Sequence, residues 1–400
     1  MKDKCVIWGT GEAGRKGITK EIVELNYEVL AYCDSDIEKV GTTINSLKVL
    51  GIEEIRHLVK EKIVSCIVIA VLNPMMVEEI INTIEKQISS EIEVLTLSGN
   101  TMSELENQYL MQIHNNMMYE YNVDFLKQSQ IWTENLMSEV EFWVKQTRNS
   151  DVGYINEYME NRKFLTYDKN LTEIAQNLAE GSIVMDIGCG LVSMYGNILP
   201  DMSEIQLLPI DPLSYYYNKI YRKGRDKQKE CKFGMFEFMA DFYEENYSDV
   251  ILINNALDHC IDPFKSVVEC LFVLKVDGKL RMKHRRAEAL YEKYSGLHKW
   301  NIDYDQHDNF IIWNENNAVN VSDVLKEVAD ITVVHAEDGT SRTNQFVNIE
   351  ITKKKSFALE QYIDEKNERY YLANVIESLM KYFADVDTNR VFYSICEKNI

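Results

Sequence analysis

The segment at residues 182–190 (SIVMDIGCG) constrains the fold of this 400-residue chain more than any other. Its apolar run contains Asp186 near its end and then turns through Gly188 and Gly190. Such a run predicts a buried parallel strand, and the glycines predict a tight loop where backbone approaches a ligand. Asp211 ends the next apolar run, IQLLPID. An acidic residue one strand after a glycine turn is the arrangement that binds ribose hydroxyls.

Strands alternate with helical stretches in two parts of the chain, which predicts an α/β fold with two Rossmann-like, doubly wound domains. The predicted segments are a first domain at 1–100, a helical connector at 101–180, a second domain at 181–355 and a helical extension at 356–400. The predicted strands are 5–8, 28–33, 65–72 and 93–97 in the first domain, and 183–187, 205–210, 231–233, 249–254, 279–283, 331–335 and 345–351 in the second.

The charge and cysteine content limit the possible partners and the compartment. The formal net charge of −21 argues against nucleic acid, because phosphates would be repelled. A basic run at 283–286 (KHRR) is compatible with an anionic substrate or with a solvated charge cluster. The eight cysteines are scattered, with no C-x-x-C pair, which fits a reducing cytoplasm. No signal peptide and no membrane-spanning run are predicted, so we expect a cytoplasmic protein.

A second glycine turn follows the first predicted strand. Gly9, Gly11 and Gly14 match G-x-G-x-x-G, and Asp34 follows the next predicted strand. In this pattern the glycines permit a tight turn, approach of a phosphate and close helix–strand packing. The pattern predicts nucleotide binding, and the alternative is that the glycines only shape the turn.

The features of the second domain together resemble class I S-adenosylmethionine-dependent methyltransferases. Further motifs within 141–325 (EFW, DPLSYYYN, NALDHCIDP and YSGLHKWN) resemble a subgroup of bacterial methyltransferase-domain proteins. The resemblance implies a seven-stranded sheet and S-adenosyl-L-methionine as the cofactor. It assigns cofactor contacts to Asp186, Gly188, Gly190, Asp211, Met235, Phe236, Glu237 and Asn255. The chain departs from the subgroup at Arg285 and Arg286, where Asn-Glu is common.

The first hundred residues resemble the N-terminal domain of bacterial sugar N-acyltransferases, which bind nucleotide sugars. The segment VLAYCDSDIEKVGTTINSLKVLG carries this resemblance. It implies nucleotide contacts at Gly9, Gly11, Gly14 and Asp34, with NAD as the competing ligand. No Tyr-x-x-x-Lys pair follows this domain in a position for hydride chemistry, which disfavours an oxidoreductase.

Three histidines lie at strand ends or in the following loops: His259, His284 and His298. An imidazole titrates near neutrality, so each is a candidate general base, and His259 is the first choice because it follows the fourth strand. The alternative is that His259 only fixes its turn. No H-x-x-x-H or related spacing supports a metal site, so none is predicted. Tyr294, Trp300 and Arg285 are candidate substrate contacts, with core packing as the alternative for the aromatic pair.

These observations predict a methyltransferase that acts on a small sugar-linked or anionic molecule. O-methylation of a sugar, a nucleotide sugar or a phosphorylated metabolite in bacterial surface-polysaccharide biosynthesis is the first hypothesis, and N-methylation stays open. The alternatives are a non-catalytic nucleotide-binding regulator and an NAD-dependent sugar oxidoreductase that uses the first domain. No nucleic-acid or membrane partner is expected, and a homodimer is compatible with the helical extension.

Overall fold

A computed structural model describes the positions of residues 2–11, 19–71, 73–148, 178–193, 195–199, 203–220, 230–334, 346–363 and 368–398. The chain forms two compact units, and their boundaries differ from the predicted ones. The first consists mainly of Met1–Met118 with Leu290–Lys293, and the second mainly of Tyr119–Ala289, Tyr294–His335 and Phe346–Ile400.

The first unit contains a six-stranded sheet with helices between its strands. Its strands are β1 (Asp3–Trp8), β2 (Tyr27–Cys33), β3 (Thr43–Ile44), β4 (Leu47–Leu50), β5 (Cys66–Ile69) and β6 (Glu93–Thr96). Its helices are α1 (Thr19–Val23), α2 (Ile52–Lys60), α3 (Pro74–Gln87) and α4 (Asn100–Asn115). The strand order is β3-β4-β2-β1-β5-β6, parallel except for the β3–β4 pair. The four strands predicted here are confirmed, with shorter bounds for the third.

The β3–β4 hairpin was not predicted. Its two-residue connection, Asn45 and Ser46, has φ values of 47° and 64°. Two consecutive positive φ angles are typical of a type I′ turn, which matches the twist of paired strands. Asn45 also donates a hydrogen bond from Nδ2 to the hydroxyl of Tyr32 at 2.9 Å, and this bond anchors the turn. The flanking strands are too short for alternation of apolar residues to reveal them.

The second unit contains two sheets. Its strands are β7 (Ile183–Ile187), β8 (Gln206–Ile210), β9 (Ser248–Asn254), β10 (Leu274–Arg285), β11 (Asn301–Tyr304), β12 (Phe310–Trp313), β13 (Ala318–Asn320), β14 (Ala329–Val334) and β15 (Phe346–Lys353). The helices from Tyr119 onward are α5 (Phe125–Arg148), α6 (Ser214–Ile220), α7 (Met239–Phe242), α8 (Pro263–Val273), α9 (Glu288–Tyr291), α10 (Val321–Leu325), α11 (Glu368–Ala384) and α12 (Val386–Lys398). Short 3₁₀ turns occur at Phe236–Phe238, Leu257–His259 and Leu359–Gln361.

The main sheet of the second unit has the order β14-β15-β10-β9-β7-β8. Strands β8, β7, β9 and β10 run parallel to one another, whereas β15 pairs antiparallel with both β10 and β14. The described residues give six strands here instead of the seven predicted. The segment predicted at 231–233 makes only a single parallel bridge, between Lys232 and Ile210. Gly234 follows at once, and its position leaves no room for a side chain beside Ile210.

A separate antiparallel sheet of β11, β12 and β13 was also not predicted. These strands have three or four residues each, too few for a clear pattern. Trp300 and Phe310 belong to the buried core of the second unit, together with the inner face of the main sheet. The small sheet therefore extends the core of this unit.

The predicted connector is divided between the units. Met102 and Leu105 of α4 lie in the core of the first unit, whereas Leu136, Val140 and Val144 of α5 lie in a core of the second. Residues 149–177 of this segment lie outside the described residues. The C-terminal helices α11 and α12 pack on α5, and they bury Val375, Leu379 and Phe392 in the same core.

Among the helices that the structure describes, none combines the length and the apolar character needed to cross a lipid bilayer.

Candidate active site

The candidate site lies at the carboxyl ends of β7, β8, β9 and β10, which are neighbours in the parallel part of the sheet. The polar residues that follow these strands are brought to one edge. Open α/β sheets bind ligands at this edge, because the loops that follow parallel strands meet there. The residues that the sequence predicts for the cofactor site therefore follow strands that end at this edge.

The turn after β7 requires its two glycines. Gly188 and Gly190 have φ values of 71° and 61°, a region that L-residues rarely adopt. A Cβ at Gly188 would overlap the Cβ of Ala256 and lie 2.9 Å from Cζ of Phe236. A Cβ at Gly190 would lie 2.7 Å from Cζ2 of Trp143. The turn is therefore enclosed by the loop after β9 and by helix α5.

Asp211 is joined directly to this turn. Its carboxylate accepts hydrogen bonds from the amide of Gly190 at 3.1 Å and from the amide of Leu213 at 2.8 Å. Burial, with smaller contributions from the charges of Glu139 and Asp186, raises the pKa of Asp211 to about 7. A carboxylate offers about four acceptor positions, so two remain for ligand hydroxyl groups.

Three more predicted cofactor residues, Asp186, Met235 and Phe236, are buried. Asp186 is 2% exposed and lies near the end of β7. Phe236 is the ring that a side chain at Gly188 would meet. Met235 is 1% exposed and packs in the core formed by α5 and its neighbours. Phe236 is thus adjacent to the glycine turn, whereas Met235 faces the core.

Glu237 holds a neighbouring loop in place. Its Oε1 accepts hydrogen bonds from the amides of Ile261 at 2.6 Å and Asp262 at 3.2 Å. Burial raises the pKa of Glu237 to about 7. The side chain thereby fixes the segment that leads into α8.

Asn255 connects the ends of β9 and β10. Its backbone amide donates a hydrogen bond to the carbonyl of Lys283 at 2.7 Å. Its side-chain Oδ1 accepts a hydrogen bond from the backbone amide of Arg285 at 2.9 Å. Asn255 has a φ of 50°, and asparagine tolerates this left-handed conformation better than most residues. The two strand ends are therefore held together next to the predicted methionine end of the cofactor.

Two of the three predicted histidines meet at one acidic residue. Nδ1 of His298 lies 2.7 Å from Oδ2 of Asp258 and 3.1 Å from Nε2 of His259. Nε2 of His259 lies 3.5 Å from the same Oδ2. The structure thus gathers Asp258, His259 and His298 into one cluster, the histidine cluster, although 39 residues separate the imidazoles in sequence.

The electrostatics of the histidine cluster follow from the buried carboxylate. Asp258 is 1% exposed, yet the charges of His259 and His298 outweigh the effect of burial and hold its pKa well below the usual value. Burial acts to lower the pKa of His298, but the adjacent Asp258 raises it to about 9. Glu139 adds further negative charge, with Oε2 at 3.9 Å from Nδ1 of His259.

His284 has a different environment from the other two histidines. It is 1% exposed, and burial lowers its pKa to about 4. Among the described residues, neither ring nitrogen of His284 has a hydrogen-bond partner. His284 is therefore a neutral, buried imidazole, close enough to Asp258 for that charge to affect its pKa.

The predicted substrate residues are only partly supported. Trp300 is fully buried and packs on Tyr121 with ring centroids 5.7 Å apart, so it belongs to the core and not to a wall accessible to substrate. Tyr294 is half-buried and accepts a hydrogen bond from Asn301 at 3.1 Å. Nη1 of Arg285 lies 3.9 Å from Oε1 of Glu288, and part of the Arg285 side chain is exposed.

Arg286, the other departure from the subgroup, is a structural residue. Its Nε donates to Asp303 at 2.7 Å, and both side chains are buried. Its guanidinium also lies over the ring of Tyr304, 4.0 Å from the centroid. A charge held in this way is not available to alter an acceptor pocket.

Helix α5 contributes residues that sequence reasoning did not assign to the site. Trp143 donates from Nε1 to Oε1 of Glu139 at 2.7 Å, while its ring covers Gly190. Glu139 reaches His259 with its other oxygen. The EFW motif contains Trp143 and was a signal for it. Glu139 had no such signal, because it lies on a helix that is distant in sequence from the strand ends.

The glycine turn of the first unit is partly described. Gly9 has a φ of 117° and donates to the carbonyl of Cys33 at 2.8 Å. Asp34 accepts hydrogen bonds from the amide of Thr10, at 3.0 Å, and from its hydroxyl. Burial acts to raise the pKa of Asp34, but these bonds hold it below the usual value. Gly11 has open space beside its Cα, whereas Gly14 lies outside the described residues.

Comparison with known protein families gives a match in the central part of the second unit. Residues 185–282 match the model of a family described as a methyltransferase domain. No curated protein sequence matches the chain.

Several solved structures are similar in part. The CurJ carbon methyltransferase is 11% identical, with 71% of this chain and 82% of that chain covered and a TM-score of 0.36. An S-adenosylmethionine-dependent methyltransferase from Listeria monocytogenes is 15% identical, with 46% and 97% covered and a TM-score of 0.30. A chain of the complex between the Haloferax volcanii Trm112 methyltransferase activator and a methyltransferase is 12% identical, with 54% and 98% covered and a TM-score of 0.35. Scores this low carry no argument about substrate or partner.

The family of methyltransferase domains that residues 185–282 match uses S-adenosylmethionine as its cofactor. The residues present fit it. The carboxylates of Asp186 and Glu139 lie close enough to Asp211 for each of them to raise its pKa. Such a concentration of negative charge is complementary to a sulfonium cation. Asp211 also retains acceptor capacity beside the glycine turn, where ribose hydroxyls bind in related folds.

Proposed function

Starting from a methyltransferase domain with S-adenosylmethionine as cofactor, we propose that the chain transfers a methyl group to a hydroxyl group. The acceptor is a sugar, a nucleotide sugar or a related phosphorylated metabolite, used in surface-glycan biosynthesis. The observation that carries the proposal is the hydrogen bond between Gly190 and Asp211, which builds a cofactor turn within the matched segment.

The predicted cofactor contacts are assigned as follows. Asp211 binds the ribose hydroxyls, and Phe236 flanks the adenine beside the glycine turn. Asp186 and Asn255 lie at the methionine end. Methyl transfer from a sulfonium is an in-line displacement, so alignment of the acceptor, the methyl group and sulfur supplies much of the rate. Residues that fix this alignment therefore matter as much as residues that move protons.

The histidine cluster favours a hydroxyl acceptor. A hydroxyl must lose its proton as it attacks, whereas a neutral amine needs less assistance. His259 follows β9 in the same loop as Ala256, which packs against Gly188. The cluster is thus next to the turn where the methyl donor binds, and it is the group that activates the acceptor.

The first unit supplies the support for a sugar-linked acceptor. Its glycine turn and Asp34 carry the resemblance to the nucleotide-sugar-binding domain of sugar N-acyltransferases. Gly9 and Asp34 have the positions that the pattern requires, at the ends of β1 and β2. We propose that this unit binds a nucleotide or nucleotide sugar.

The test is an acceptor screen with the full-length protein. Formation of S-adenosylhomocysteine is measured with sugars, sugar phosphates, nucleotide sugars and small amines, with S-adenosylmethionine present throughout. We expect turnover with a hydroxyl-bearing member of the sugar series and its loss in His259→Ala. Turnover with amines alone would overturn the O-methylation proposal. Binding of NAD without binding of S-adenosylmethionine would favour the oxidoreductase alternative instead.

The role of the first unit has its own test. Binding of UDP-sugars and NAD(H) is measured for the full-length protein and for Asp34→Ala. We expect a UDP-sugar to bind and the variant to bind it at least about tenfold more weakly, because a charged acceptor of hydrogen bonds is lost. Preference for NAD(H), or no effect of the substitution, would contradict the proposal.

A further inference from the structure

The three ligand-type atoms of the histidine cluster converge on one point. The distances between Oδ2 of Asp258, Nε2 of His259 and Nδ1 of His298 are 2.7, 3.1 and 3.5 Å. Neighbouring ligands of one cation are separated by about 3.0 to 3.5 Å when metal–ligand bonds are about 2.1 Å long. A cation about 2.1 Å from all three atoms would stand about 1 Å out of their plane, and the 2.7 Å pair would separate by a few tenths of an ångström to reach the usual spacing.

Hydrogen bonding alone leaves this arrangement poorly satisfied. Each imidazole nitrogen has one in-plane position, either a proton or a lone pair. Nδ1 of His298 nevertheless faces both Asp258 and His259, and Nε2 of His259 faces the other two members. A single proton position serves two neighbours only through a shared and weaker hydrogen bond. A cation that receives one lone pair from each member satisfies all three.

The surroundings of the cluster are suited to positive charge. Asp258 is 1% exposed, and within the part of the chain that the structure describes its Oδ1 has no hydrogen-bond partner. Glu139 lies 3.9 Å from Nδ1 of His259, on the side of the ring away from the cluster. Carboxylates on the outer nitrogen of a ligating histidine commonly orient the ring and strengthen the metal bond.

The backbone holds the members of the cluster in fixed positions. Asp258 and His259 lie in the 3₁₀ turn Leu257–His259. The carbonyl of Asp258 accepts a hydrogen bond from the amide of Lys299 at 3.2 Å, which attaches the loop of His298 to this turn. Ligands on segments joined in this way are preorganised for binding.

We propose that Asp258, His259 and His298 bind one divalent transition-metal cation, through Oδ2, Nε2 and Nδ1. Two imidazoles and one carboxylate suit borderline cations such as Zn²⁺, Co²⁺, Ni²⁺ or Fe²⁺. Three protein ligands leave further positions open, as in metal sites that bind water or substrate. An acceptor hydroxyl bound there would have a lowered pKa. This role in catalysis rests on the proposed methyl transfer, whereas cation binding does not.

The test is titration of the tag-free, chelator-treated full-length protein with CoCl₂, followed by visible absorption. We expect one Co²⁺ per chain with d–d bands and displacement by ZnCl₂. His298→Ala and Asp258→Asn should weaken binding at least about 100-fold, whereas His307→Ala, which removes an exposed histidine, should not change it. Far-UV circular dichroism checks that each variant is folded, and His259→Gln, which replaces a ligand whose side chain is 19% exposed, should also weaken binding.

The outcomes separate the two proposals. Absence of stoichiometric Co²⁺ binding, or equal binding by folded His298→Ala, would overturn the metal site. Binding of S-adenosylhomocysteine is measured in the same samples and does not require the cation. If Co²⁺ binds but the chelated and Co²⁺-loaded proteins transfer methyl groups equally, the site stands and its catalytic role fails.

Discussion

The amide of Gly190 lies 3.1 Å from the carboxylate of Asp211, and a hydrogen bond joins them. This bond connects the loop after β7 to the residue after β8. The glycine turn and Asp211, the candidate ribose-binding residue, are therefore coupled, and a substitution in either is expected to alter the position of the other.

The space at Gly188 gives a prediction about stability. Gly188→Ala places a Cβ against Ala256 at a φ of 71°, whereas Gly181→Ala meets open space at a φ of 79°. Both variants incur the cost of a left-handed L-residue, about 1–2 kcal/mol. We expect the free energy of unfolding of Gly188→Ala to fall by about 1–3 kcal/mol more, because of overpacking. Urea unfolding measures the difference, and equal losses would contradict the enclosed turn.

The buried carboxyl of Glu237 predicts a pH dependence of stability. Its pKa rises from 4.5 in the unfolded chain to about 7 in the folded protein. Folding therefore takes up a proton between these values, and the contribution to stability present below about pH 4.5 is lost as the pH rises to about 7. This pKa difference corresponds to a loss of about 3 kcal/mol in the free energy of unfolding. The loss is absent in Glu237→Gln, because glutamine does not titrate.

The measurement for Glu237 is urea unfolding of both proteins at pH 5 and pH 8. We expect the wild type to lose more free energy of unfolding between these values than Glu237→Gln does. Identical pH profiles would show that the folded carboxyl titrates normally.

The buried ion pair of Arg286 and Asp303 predicts a large loss of stability without loss of cofactor binding. Asp303→Ala leaves a buried guanidinium without its carboxylate, which typically costs about 3–5 kcal/mol. Asp323→Ala removes an exposed partner of Lys326 and should change stability little, because water and salt screen this pair. Affinity for S-adenosylhomocysteine should be unchanged in folded Asp303→Ala. A weakened affinity would contradict the purely structural role assigned to this ion pair.

The position of Trp143 predicts a fluorescence signal. Its ring covers Gly190, so cofactor binding at the turn should change its emission. We expect this change to be lost in Trp143→Phe and retained in Trp132→Phe, a buried tryptophan on the same helix. Titration with S-adenosylhomocysteine measures it. A full signal in Trp143→Phe would mean that the ligand binds elsewhere.

The sequence was sufficient for the parts of the fold that depend on local pattern. Strand β7 has its predicted bounds of 183–187, and the glycine turn and Asp211 lie beside each other as the motif required. Each of these features is encoded in one continuous stretch. Long apolar strands followed by glycine or aspartate are therefore readable without a structure.

The parts that depend on tertiary contact were not readable. His259 and His298 are separated by 39 residues and match no ligand spacing, so the sequence could not indicate that their imidazoles lie side by side. Trp300 has the composition of a sugar-stacking residue, but the small β11–β13 sheet encloses it in the core. Glu139 reaches the cluster only because α5 packs beside the glycine turn.

The central claim is that the methyl donor binds at Gly190 and Asp211. Calorimetric titration with S-adenosylhomocysteine, of the wild type, Asp211→Asn, Asp211→Ala and the exposed control Asp241→Ala, tests it most directly. We expect binding by the wild type and the control, and at least about 100-fold weaker binding by Asp211→Ala, since two hydrogen bonds to a charged group contribute about 3 kcal/mol or more. Unchanged affinity in folded Asp211→Ala would contradict the account.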